Sequence, residues 1–166
     1  MVRQSGNGDD MGMKGYLGAG MVAALCWAGG AWAAPAKPVP YWASLTQAEA
    51  RMRVGPSLDY PSNWVYRRRD LPVKVVQVLG LWRKVEDSTG TQGWMHVRLL
   101  SDTPTAIVTA DIAPMRDSPS EDARALFRAQ KGVVGRLSSC GKGWCAFDVG
   151  GQKGFIRASD IWGATG

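Results

Sequence analysis

The chain has 166 residues, 45% of them apolar and 20% charged, with a formal net charge of +6. This length suits one ordinary domain or two small ones, and the apolar share excludes wholesale disorder. A single histidine, His96, excludes any site that needs two, and no apolar run reaches a membrane-spanning length of ~20 residues without glycine breaks.

The 21 glycines and 9 prolines favour turn-rich β structure over a helical bundle. Near the N-terminus, Lys14 precedes the apolar run Tyr16–Gly30 (YLGAGMVAALCWAGG), which ends in Ala31-Trp32-Ala33-Ala34-Pro35. A cation, an apolar stretch and an Ala-x-Ala site describe a secretory signal peptide over residues 1–33, helical before removal and cleaved between Ala33 and Ala34. Asp9 and Asp10 dilute the positive start, and Met11 or Met13 would give a more conventional one. Cys26 is a poor lipidation site, because Leu25 stands where a small residue is wanted.

Removing residues 1–33 takes away Arg3, Lys14, Asp9 and Asp10, so the charge of +6 is unchanged. A basic exported product would meet anionic headgroups, cell-wall carboxylates and acidic proteins rather than nucleic acid. Residues 34–44 begin Pro-rich (APAKPVP) and read as an extended leader. Tyr41 and Trp42 are costly to leave exposed, so the fold could start there.

An internal repeat organises the remainder. Ala50-Arg51-Met52-Arg53 recurs as Ala113-Pro114-Met115-Arg116 at an offset of 63. Trp82 then matches Trp144 at 62, and Gly93-Trp94-Met95 matches Gly154-Phe155-Ile156 at 61. Single deletions in turns explain the drift. Two homologous units follow, at residues 45–103 and 105–163.

In the first unit, Val73–Leu79 is β-branched and predicts a strand, with Gly80 as a tight turn and Leu81–Val85 as the partner. Asp87-Ser88-Thr89-Gly90 is a second turn, and Thr91–His96 a third strand. Gly55 and Gly90 suit positive φ, and Gly93 a close approach at a barrel corner that Gly154 would repeat. Pro72 belongs at a strand start. Trp82 and Trp94 are large enough to dominate a small core. In the second unit, Ser118-Pro119-Ser120-Glu121 resembles a helix start. The repeat nevertheless places Ala125–Ala129 over Asn63–Arg67, and predicts a strand instead.

Arg53-Val54-Gly55-Pro56, Leu71-Pro72-Val73, Trp82-Arg83-Lys84-Val85 and Gly90–His96 (GTQGWMH) closely resemble the bacterial SH3 domain of exported alphaproteobacterial proteins. Gly132–Gly135, Gly143-Trp144-Cys145 and Gly154-Phe155-Ile156 are similar to the divergent tandem copy in such proteins. The resemblance implies an all-β chain with two small five-stranded SH3-like barrels in tandem, no enzyme activity and no cofactor.

Cys140 and Cys145 flank Gly141-Lys142-Gly143-Trp144, a hairpin turn that can bring them within disulfide reach. Export would supply the oxidising compartment. Weaker readings are a redox pair, although C-x4-C is not C-x-x-C, and a zinc site, although two further ligands are missing.

Trp64 and Tyr66 share one face of a strand and lead into Arg67-Arg68-Arg69. Aromatics beside arginines could clamp a peptide or sugar by stacking and hold its carboxylates. The plainer alternative is that the aromatics fill the barrel and the arginines solvate a loop. A hydrolase would need a polar cluster such as His96 with Arg98 and Asp102, and no nucleophile elbow accompanies it. The pairs Glu86-Asp87 and Glu121-Asp122 read as solvated loops. The leading expectation is an exported, non-catalytic binding module that contacts peptidoglycan or an envelope partner. An accessory subunit of an envelope complex is the alternative, followed by a small secreted hydrolase or inhibitor.

Overall fold

The structure, a computed structural model, describes residues 37–165. The expected signal segment and the Ala33–Ala34 cleavage site lie outside the described residues. Among the described residues, no helix is long and apolar enough to cross a membrane.

Among the described residues, fourteen strands form two antiparallel sheets, each of seven strands. The first unit contains β1 (Tyr41–Leu45), β2 (Ala50–Arg53), β3 (Ser62–Tyr66), β4 (Pro72–Leu79), β5 (Trp82–Glu86), β6 (Gln92–His96) and β7 (Leu100–Ser101). The second contains β8 (Thr105–Val108), β9 (Ile112–Arg116), β10 (Ala125–Gln130), β11 (Val134–Gly141), β12 (Trp144–Val149), β13 (Gln152–Arg157) and β14 (Ile161–Gly163). Strand order is β3-β2-β6-β5-β4-β1-β7 in the first and β10-β9-β13-β12-β11-β8-β14 in the second, the same path taken twice. A short 3₁₀ turn precedes the last strand of each unit, at Val97–Leu99 and Ala158–Asp160.

The pairing fixes the repeat residue by residue. Ala50 faces Tyr66 and Ala113 faces Ala129, so Tyr66 and Ala129 are equivalent. The sequence alignment was one residue out here, because the first deletion falls after Tyr66 rather than before it. Ala125–Gln130 is a strand despite its helix-like start, since its pairing with β9 overrides local propensity. Strand β1 begins inside the segment assigned to the leader: it pairs with β4 from Tyr41 onward, and Ala43 and Ser44 are buried.

Each unit has its own small core. Leu45, Met52, Val73, Val75, Val85 and Met95 fill the first; Val108, Met115, Leu137, Phe147 and Ile156 fill the second. Among the described residues no tryptophan belongs to either, which corrects the expectation for Trp82 and Trp94. Side chains alternate across a strand, and Val85 and Met95 take the inner rows. Trp82, Lys84, Trp94 and His96 are therefore left on the outer face, where Trp82 pairs with His96 and Lys84 with Trp94.

Gly93 permits the close approach expected of it. A Cβ there would stand 2.5 Å from Met52 Cγ and 2.9 Å from the Arg53 carbonyl oxygen. Gly154 repeats the contact more loosely, 3.0 Å from the Arg116 carbonyl oxygen. Gly90 adopts positive φ as expected, but Gly55 does not; it is needed because the Tyr60 ring would lie 2.6 Å from its Cβ.

The two barrels meet along a seam. Trp42 of β1 and Trp162 of β14 pack edge to face with centroids 4.7 Å apart. Arg68 Nη1 donates to the Gly132 carbonyl at 2.8 Å, and Arg136 pairs with Asp70 at 3.1 Å.

Cys140 faces Cys145 across the β11–β12 hairpin, and a disulfide joins them. The closed loop is short, and the chain-entropy relation gives roughly 2 kcal/mol of stabilisation. Cys145 is fully buried, so its removal also creates a small packing loss. Reduction of the unaltered protein is therefore the cleaner test. It is expected to lower the unfolding free energy by about 2 kcal/mol, measured by denaturant titration with and without reductant.

Candidate functional site

The aromatic and arginine run predicted as a ligand surface is divided by the fold. Trp64 is 51% exposed on β3, at an edge of the first sheet. Tyr66 turns inward against the core and donates its phenol to Asp87 Oδ2 at 2.8 Å. Their ring centroids are 6.4 Å apart at a tilt of 53°, so they do not form a flat stacking platform. Arg67 approaches Glu49 at 3.9 Å, Arg68 crosses the seam, and Arg69 projects into a cleft between the barrels.

Asp87, read from sequence as a solvated carboxylate, organises the turn after β5. It accepts from the backbone N–H groups of Thr89 and Thr91, from the Thr89 hydroxyl and from Tyr66. Burial opposes its ionisation, but the hydrogen bonds from Thr89, Tyr66 and the backbone outweigh burial and hold the carboxyl below the usual range. The same contact raises the Tyr66 phenol well above its ordinary value, first by burial and then by the hydrogen bond and charge of Asp87. Sequence reasoning missed this lock; the only available signal was an Asx-type turn with threonines at the second and fourth following positions.

A second missed role belongs to the arginine of the repeated motif. Arg53 Nη1 donates to the carbonyls of Leu58 at 3.1 Å and Tyr60 at 2.5 Å. Arg116 Nη1 donates to the equivalent carbonyl, Ala123, at 2.5 Å. Each arginine staples the long loop that follows its strand. Glu121, the other carboxylate read as solvated, pairs with both Arg116 and Arg157.

His96 is structural in its contacts. Its Nδ1 accepts from the Arg98 backbone N–H at 3.3 Å, and its ring stands edge-on to Trp82 at 5.4 Å. Asp102 is engaged elsewhere, by Lys37 at 2.8 Å, so the possible cluster of His96, Arg98 and Asp102 is not assembled. Among the described residues, no group of three or more His, Cys, Asp or Glu side chains is placed to hold a metal.

One depression lies on the outer face of the second barrel. It encloses about 420 Å³, with Phe155 and Ala146 as its floor and Leu126, Arg116 and Lys153 around it. The repeats differ at a cross-strand pair on this face. Lys84 stands opposite Trp94 in the first barrel, and its long stem can cover the indole. Opposite Phe155 stands Ala146, which cannot reach across the ring. A second depression, of about 450 Å³, lies at the seam between Arg68, Arg69 and Asp70 on one side and Arg136, Asp148 and Gly151 on the other.

A sequence model described as the bacterial SH3 domain matches residues 46–102 and again residues 109–163. The chain belongs to the bacterial SH3 family. One matched segment falls in each barrel and begins just after that barrel's first strand. No curated protein matches the chain. Similar solved structures include NlpC2 and NlpC1 from Trichomonas vaginalis, each 13% identical with a TM-score of 0.35, matched over 76% and 77% of this chain. An NlpC/P60 family protein from Bacillus cereus is 16% identical with a TM-score of 0.34 over 75% of the chain. The matched region spans about half of each of those proteins, at 49%, 47% and 57% of their lengths.

The Asp87 lock gives a pH signature. Its folded pKa lies below the unfolded value of about 3.9. Its stabilisation is therefore complete above that value and lost as pH falls through the lower folded one. Asp87→Asn is expected to cost about 1 kcal/mol near neutral pH, after allowing for partial exposure. The gap to the unaltered protein should narrow in thermal melts at about pH 2.

Proposed function

We propose that the protein is an exported, non-catalytic binding module of the cell envelope whose partner is peptidoglycan or an envelope protein. The observation that carries this reading is the groove over Phe155. An aromatic floor, two flanking cations and nearby carboxylates sit on paired strands, a rigid base for recognition. Such a surface can stack on a sugar or peptide and hold carboxylates with Arg116 and Lys153. Peptidoglycan presents both chemistries. The basic charge of the chain favours its approach to an acidic wall. The Cys140–Cys145 disulfide suits an oxidising compartment, and two fused domains would raise avidity if both engage.

The accessory-subunit reading draws on a different feature. Trp64 and Val65 expose 51% and 39% of their surfaces on the edge strand β3, a surface that suits another protein.

Purified sacculi separate the two. The protein is expected to co-sediment with them at low salt, with retention falling several-fold for Phe155→Ala of confirmed fold. Loss of all retention at low salt, together with a single crosslinked protein partner in cells, would move the assignment to the accessory subunit.

A further inference from the structure

We propose that the Phe155 groove and the cleft between the barrels are one continuous trough that binds an acidic peptide segment carrying an apolar side chain. This rests on the reading of the chain as a binding module and assigns that module a ligand class. The joint between the two depressions is made of Arg136 and Asp148, which line both. An occupant running along the second barrel therefore passes from an apolar end, at Leu126, Ala146 and Phe155, to a cationic end, at Arg68, Arg69 and Arg136.

The charges at the cationic end are unequally committed. Asp70 is held by Arg136 at 3.1 Å. Asp148 accepts from the Gly151 backbone N–H at 2.7 Å and lies 3.9 Å from Lys153. Arg68 donates one of its guanidinium nitrogens to Gly132. Arg69 is exposed and has no ion pair among the described residues. The cleft thus has arginine capacity left over and its carboxylates already engaged, which favours an incoming anion. Gly150 and Gly151 form part of the wall, so no side chain there bars a backbone from lying close. The arginines come from both units, Arg68 and Arg69 before β4 and Arg136 from β11. Neither barrel alone supplies the site.

A peptide fits this mixture better than a polyanion. Asp70, Asp117 and Asp148 punctuate the lining and would repel a string of phosphates. A peptide can set carboxylates against the arginines and amide N–H groups against the aspartates. The apolar end exposes an aromatic floor sized for one side chain rather than a lipid tail.

The probe is the synthetic peptide acetyl-Asp-Glu-Leu-Ala-Asp-Glu-amide, with acetyl-Asn-Gln-Leu-Ala-Asn-Gln-amide as its neutral counterpart. Titration followed by ¹⁵N–¹H spectra is expected to move the amides of Gly150 and Gly151 in the cleft and Phe155 in the groove with one common Kd. The neutral peptide should bind about tenfold more weakly. Arg69→Ala should weaken the acidic peptide by a similar factor and Arg69→Lys by less. Arg69 is exposed and has no ion pair among the described residues, so both variants should fold; Leu126→Ser tests the apolar end at another exposed position. Shifts confined to one depression, equal binding of the two peptides, or Arg69-dependent binding to phosphatidylglycerol vesicles without peptide binding would each overturn the proposal. Sacculus retention measured in parallel distinguishes the levels. Retention without acidic-peptide binding removes the trough and leaves the module, whereas loss of both removes both.

Discussion

The structure depends on how closely two strands can cross in a barrel this small. At the corner where β2 meets β6, Gly93 leaves the space that Met52 and the Arg53 carbonyl occupy, and Gly154 leaves similar space for β9. A side chain there would hold the strands apart and open the corner. The interior that results accepts methionine, valine and alanine rows and one phenylalanine. Trp42, Trp82, Trp94 and Trp162 stand on outer faces and at the seam instead, where an amphipathic ring can cover apolar surface and still meet water. The small cores thus leave aromatic side chains on the outer faces of the strands.

Duplication then allowed the two copies to diverge in a coupled way. The first barrel keeps Tyr66 and Asp87 as an internal lock and sets Lys84 opposite its outer aromatic, Trp94. In the second, Ala129 takes the place of Tyr66, and Ala146, opposite Phe155, that of Lys84. The second copy lacks the lock but has a disulfide across its longest hairpin. Both retain the arginine that staples the loop after their second strand. The first copy is thus fastened by a hydrogen-bonded lock and the second by a disulfide, and the second presents the groove.

Much of the fold was legible because its signals are local or repeated. Glycine turns, β-branched runs and a self-similar motif order are all properties of short segments, and the repeat correctly overruled the helix-like start at Ser120. The burial of individual aromatics was not legible. Trp82 and Trp94 differ from core residues only in strand phase, and a one-residue change of phase exchanges inside for outside. The orientation of the aromatics on β3 was subject to the same limit. Trp64 and Tyr66 are neighbours on one strand, yet Tyr66 is pulled in by Asp87, 21 positions away. The groove depends on Ala146 facing Phe155, a cross-strand relation that sequence spacing does not announce.

The seam also explains why the two barrels are not interchangeable. Asp70 and Gly132 are equivalent: each backbone N–H donates to the last residue of its unit's first strand, Leu45 or Val108, and each residue has positive φ. At that position the first copy provides a carboxylate that pairs with Arg136, whereas the second provides only a carbonyl that accepts from Arg68. Gly132 cannot supply the carboxylate that would capture an arginine from a further barrel, and Thr105 stands where the first copy has Trp42. The contact is therefore directional, head to tail, but lacks the groups needed to repeat itself. Its chemistry gathers Arg68, Arg69 and Arg136 at a single place. A concentration of positive charge that would be costly within one barrel is shared between two, with Asp70 and Asp148 offsetting part of the repulsion.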